Sequence, residues 1–75
     1  MNKEEIEALG LEESIKKLEE TALRLEQGSD TMSLEEMMAL YQEGAMLSEH
    51  AAALLNASQK EIQMLEQRFK EAKND

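Results

Sequence analysis

The stretch LEEMMALYQEGAMLSEHAAALLNASQKEIQMLEQRF, residues 34–69, decides the fold. Within it Leu34, Met37, Tyr41, Gly44, Ser48, Ala51, Leu55, Ser58, Ile62, Leu65 and Phe69 step by three and four without a break. Each is apolar or small, and no proline interrupts the run. Residues so spaced share one stripe of an α-helix, and a sustained 3.5-residue repeat keeps that stripe against a neighbouring helix over many turns. A helix over residues 34–72 is about 58 Å long at ~1.5 Å per residue. Nothing else in the 75-residue chain is long enough to cover it, so the stripe predicts a partner.

Working outward, the start of that helix is signalled by Ser33, whose hydroxyl can cap the N–H of Glu36 while the Glu36 carboxylate reaches back, a capping box. Met32 and Met37 stand where a hydrophobic staple belongs. Before the polar turn Gly28-Ser29-Asp30-Thr31-Met32, a shorter helix is expected over residues 11–27. There Leu11, Ile15, Leu18, Ala22 and Leu25 form the apolar face, and Gly28 is placed to close the helix in the left-handed conformation. Residues 1–10 read as a flexible or partly helical lead-in: Asn2 and Glu5 can cap a short helix, and Gly10 interrupts the pattern. The expected fold is therefore all-α, an antiparallel helical hairpin over residues 11–75 that is coiled-coil-like and oligomerising. The apolar band is wide at first, with Leu40, Leu47 and Leu54 on one flank and Met38, Ala45 and Ala52 on the other. It narrows after Gln59 to Ile62, Leu65 and Phe69.

Composition agrees with helices: proline is absent, aromatic residues make up 3%, and Glu, Leu, Ala, Lys, Gln and Met dominate. With no cysteine there is neither a disulfide nor a thiolate metal site. No apolar run approaches the ~18 residues of a membrane span, and a cytoplasmic setting is expected. The net charge of −9 opposes direct nucleic-acid binding, which relies on Lys and Arg to displace counterions from phosphates. Residues 1–59 carry the whole excess, with thirteen acidic and four basic side chains, whereas residues 60–75 balance four against four. The acidic part is either a solvated surface or a face for a basic partner.

No residue pattern points to catalysis by this chain. His50, the only histidine, has Leu47 three positions before it, so the Glu-x-x-His pair of metal-binding bundles is missing, and it reads as a solvent-facing side chain. No serine has a histidine at recognisable spacing, and no glycine-rich phosphate loop is present. No metal site and no cofactor is expected. Gly44, Ser48, Ala51 and Ser58 admit close approach of another helix, although Gly44 also reads as a merely tolerated glycine. The six methionines suit an adaptable interface, or serve as gap-fillers. The candidate site is accordingly a partner interface made of Leu34, Met37, Tyr41, Gly44, Leu47, Ser48, Ala51, Leu54, Leu55, Ile62, Leu65 and Phe69. Self-association is expected because Leu40, Leu47, Leu54 and the 62–69 stripe would otherwise face water.

The ordered segments Leu11-Glu12-Glu13-Ser14-Ile15-Lys16-Lys17-Leu18-Glu19-Glu20, Leu25-Glu26-Gln27-Gly28, Ser33-Leu34-Glu35-Glu36 and Leu40-Tyr41-Gln42-Glu43-Gly44, followed by Leu47, Leu55 and Ile62, resemble the small subunit of exodeoxyribonuclease VII. The likeness covers about residues 11–65. Leu11 departs from it, standing where the family usually has phenylalanine, and the turn from Gly28 to Leu34 is about two residues longer than usual. The resemblance implies a cytoplasmic bacterial complex that degrades single-stranded DNA to oligonucleotides from both ends. It implies that hydrolysis and DNA contact belong to a separate large subunit, and that several copies of the small one assemble with it through long helices. Two other classes are weighed against it. One is a stand-alone helical-hairpin adaptor or chaperone, which composition alone does not separate from the first. The other is a homodimeric RNA-binding hairpin, which needs a basic stripe that a charge of −9 does not supply.

Overall fold

The computed structural model describes residues 1–28 and 30–73, with side chains through Glu71. Ser29, part of the expected turn, lies outside the described residues. Among those residues all regular structure is helical: α1 (Lys3–Glu7), α2 (Leu11–Gly28) and α3 (Leu34–Lys73). The two main helices fall within a residue of the expected bounds. The molecule measures 65 × 23 × 14 Å, and its length is that of α3, whose 40 residues span about 60 Å.

Each start has a local cause. Asn2 accepts from the Glu5 N–H at 2.8 Å while its own N–H donates to Glu5 Oε1 at 3.1 Å, a complete capping box that holds the five-residue α1 together. At α3 the Glu36 N–H donates to Ser33 Oγ at 3.1 Å. The end of α2 departs from expectation. Gly28 is the last helical residue, and no described glycine has a positive φ, so the left-handed closure is not used. Instead the Gly28 carbonyl accepts the N–H groups of Thr31 and Met32, at 3.0 and 2.9 Å. A Cβ on Gly28 would lie 2.5 Å from Met32 Cε, so glycine here makes room for the methionine that folds back over it.

The two long elements are packed against each other. Leu25 shares a hollow with Met37 and Tyr41, Leu18 and Thr21 stand nearest Gly44, and the Leu9 carbonyl meets His50. Heptad letters with Leu34 as position a show what α3 buries. The d residues Met37, Gly44 and Ala51 are half-buried, and of the g residues Leu40 and Leu47 are buried and Leu54 half-buried. The inner seam is thus d and g, not a and d. Leu40 and Leu47, expected to face water without a partner, form the core, with Leu47 at 0% exposure.

On α2 the inward residues also differ from the expected set. Leu11, Leu18 and Leu25 are half-buried as read, but Ile15 and Ala22 are exposed, and Ser14 and Thr21 take the buried positions between the leucines. Their hydroxyls donate to the carbonyls four residues back, Ser14 to Gly10 at 2.7 Å and Thr21 to Lys17 at 2.8 Å. A hydroxyl satisfied by its own helix costs little to bury, and both side chains are small enough for close helix approach.

The lead-in closes the other side. Ile6 is 2% exposed, and α1 lies over the flank of α3 that carries Met46 and His50. His50 is therefore half-buried and partnered, not a free solvent-facing side chain. Its Nε2 lies 2.8 Å from the Leu9 carbonyl, and because a carbonyl only accepts, Nε2 carries the proton. Two outcomes check this arrangement. Leu47→Ala is expected to destabilise the chain by about 2–5 kcal/mol in urea melts, and Leu55→Ala, on the exposed side, by less than about 1 kcal/mol. Nitrogen-15 shifts of neutral His50 are expected to report the Nε2–H tautomer.

Candidate partner interface

With d and g turned inward and α1 over the opposite flank, the side of α3 left open is a and e. Leu34, Met38, Tyr41, Ala45, Ser48, Ala52 and Leu55 all lie there, and all are exposed, Tyr41 at 72%. The adjoining b positions Glu35, Gln42 and Glu49 are polar and give this apolar strip one edge. Its other edge is α2. Leu18, Ala22 and Leu25 border a groove of about 210 Å³ whose far wall is Tyr41 and Ala45 and whose floor is Thr21 and Gly44. Toward the turn it continues into a wider hollow of about 530 Å³ lined by Leu25, Leu34, Met37, Met38, Tyr41 and Gln42. The first half of α3 therefore shows an apolar valley built from two helices.

The second half is bare. The leading residue of α2, Leu11, lies close to Leu9, whose carbonyl is level with His50. Every residue from Leu55 to Glu71 is exposed. Leu55, Ile62, Leu65 and Phe69 make a continuous a/d stripe there, with Phe69 at 69%. The change is written in the g column, where Leu40, Leu47 and Leu54 are followed by Glu61 and Arg68. Leucine stands where α2 and α1 cover the helix, and charge stands where neither does.

The structure thus divides the residues expected to form one interface. Leu47 is withdrawn into the core, and Met37, Gly44, Ala51 and Leu54 are half-buried. Leu34, Tyr41, Ser48, Leu55, Ile62, Leu65 and Phe69 remain open along one side. Ile15, Ala22 and Leu23 of α2 add exposed apolar surface that periodicity assigned to the inside or passed over. The signal was available in the g column, because three leucines at seven-residue spacing mark an inner seam as clearly as the a column does.

Among the described residues no group of three or more His, Asp or Glu side chains is placed to hold a metal ion. Every buried side-chain N or O atom there has a hydrogen-bond partner. No described helix is long and apolar enough to cross a membrane. What the exposed faces offer is apolar surface flanked by carboxylates, which suits docking of helices.

Gly44 faces α2, yet a Cβ there would lie 3.7 Å from Thr21 Cγ2 and 3.9 Å from Leu18 Cδ1, ordinary contact. Gly44→Ala is therefore expected to raise the stability of the isolated chain by up to about 1 kcal/mol in thermal melts, through helix propensity alone.

Comparison with known proteins bears on the partner. The family model described as exonuclease VII small subunit matches residues 11–64. The exodeoxyribonuclease 7 small subunit of Colwellia psychrerythraea is 38% identical over 65 residues, covering 87% of this chain and 77% of that one. The protein of the same name from Agrobacterium fabrum is 33% identical over 64 residues, 85% and 72% of the two chains. That from Symbiobacterium thermophilum is 38% identical over 60 residues, 80% and 78%. No solved structure matches the chain.

Proposed function

Because this chain belongs to the exonuclease VII small subunit family, we propose that it serves as the non-catalytic small subunit of an exodeoxyribonuclease VII, a hydrolase complex. A small subunit implies a large one, and the large subunit supplies the active site that hydrolyses single-stranded DNA to oligonucleotides from both ends. The complex works in the cytoplasm. The small subunit binds no DNA itself, a reading supported by its net charge of −9.

The observation that carries this reading is the uncovered apolar side of the 40-residue α3, which the 18-residue α2 and the five-residue α1 leave open among the described residues. We read the chain as an antiparallel helical hairpin, coiled-coil-like and oligomerising. The valley between α2 and α3 and the bare stripe beyond it receive helices of the large subunit and of sister small subunits. The stripe Leu34, Met37, Tyr41, Gly44, Ser48, Ala51, Leu55, Ile62, Leu65 and Phe69 is the interface, Leu47 and Leu54 supporting it from behind. Family membership disfavours the stand-alone adaptor or chaperone.

Co-expression with the large subunit from the same genome tests this. A tag on the large subunit is expected to retain the small one, and Tyr41→Glu combined with Leu55→Glu is expected to weaken retention at least about tenfold while leaving the helical circular dichroism signal intact. The isolated chain is expected to leave a single-stranded oligonucleotide uncut, and cleavage by rigorously purified protein would refute the non-catalytic role.

A further inference from the structure

Past Leu55 the exposed part of α3 is a narrow seam with its own charge pattern. Ser58, Ile62, Leu65 and Phe69 occupy a and d, Glu61 and Arg68 occupy g, and Gln59 and Glu66 occupy e. Glu61 and Arg68 flank an open hollow of about 250 Å³ with Met64 and Leu65 between them. We propose that the occupant of this seam is a second copy of this chain, lying antiparallel, with Ile62 of each copy set against Leu65 of the other. The proposal rests on reading the α3 stripe as a partner interface, and gives its terminal part a defined occupant.

Two features select this pairing. First, an antiparallel coiled coil sets a against d, so Ile62 meets Leu65 and, one layer out on each side, Phe69 meets Ser58. Each bulky ring then faces a small residue, which fills the layer without a void. A parallel pair in register sets Phe69 on Phe69 and Ser58 on Ser58, one layer crowded and one empty.

Second, antiparallel helices bring g beside g. Glu61 of one copy then stands beside Arg68 of the other, and two-fold symmetry repeats the pair. The e residues bring Gln59 beside Glu66, with no like-charge contact. A parallel pair brings g beside the e residue five positions on, which places Glu61 against Glu66 twice.

Sedimentation equilibrium of the isolated full chain, from about 20 to 400 μM with circular dichroism as the folding control, tests the pairing. A reversible monomer–dimer equilibrium is expected. E61R and R68E are each expected to weaken it at least about fivefold by creating like-charge pairs, and E61R with R68E in one chain is expected to restore it. Ser58→Cys is expected to form no intermolecular disulfide on oxidation, because the two thiols of an antiparallel pair are about 16 Å apart along the axis. A chain that stays monomeric overturns the proposal. So do a dimer strengthened by E61R, a dimer indifferent to the charge variants, and ready disulfide formation through Ser58→Cys. Failure to co-purify with a large nuclease subunit strikes the functional reading, whereas a dimer indifferent to the charge variants or readily linked through Ser58→Cys strikes this pairing and leaves that reading standing.

Discussion

A 40-residue helix cannot be covered by an 18-residue one, and the rest of the molecule follows from how the chain handles that shortfall. Helices of this composition are marginal alone in water, and tertiary burial of one face supplies most of their stability. The chain concentrates its burial on one segment. Residues 37–54 of α3 receive α2 on the d/g track and α1 on the neighbouring flank, and Leu47, whose column lies between the two, is fully enclosed. Beyond that segment α3 continues with no intramolecular support. Buried and open surface are thereby separated along a single helix.

The same separation exists around the helix. Where α3 is covered, c, d and g face inward and a and e stay open, so one heptad contributes Leu47 to the core and Tyr41 to the surface. The lead-in makes this one-sided. Ile6 and the His50–Leu9 hydrogen bond hold α1 against the flank opposite the open one. The family match begins at Leu11, immediately after this lead-in.

Much of this was legible in the residues. Ser33 and Asn2 announced helix starts through local chemistry, and the 3-4 spacing announced both long helices to within a residue. What did not follow from hydrophobicity was which side each helix turns inward. Ile15 and Ala22 outrank Ser14 and Thr21 on any apolar scale, yet the hydroxyls bond to carbonyls of their own helix and their short side chains permit close approach, so they are inside. In α3 the apolar band spans four heptad columns, and a band that wide does not by itself say which two columns the chain keeps for itself. The leucines of g decide it: Leu40 and Leu47 are buried and Leu54 is half-buried. Histidine was misread for a related reason: its ring found a backbone acceptor 41 residues away, which no local pattern encodes.

The bare end of α3 has a mechanical consequence. Because residues 55–71 bury nothing against the rest of the chain, their number sets a reach and not a stability. Adding or removing seven residues there shifts the tip by about 10 Å and preserves which side faces outward, while the folded segment is untouched. Adding three or four would swing the tip partway around the axis. The helix is in this sense a spacer graduated in heptads, able to fix how far apart two bodies joined through it are held.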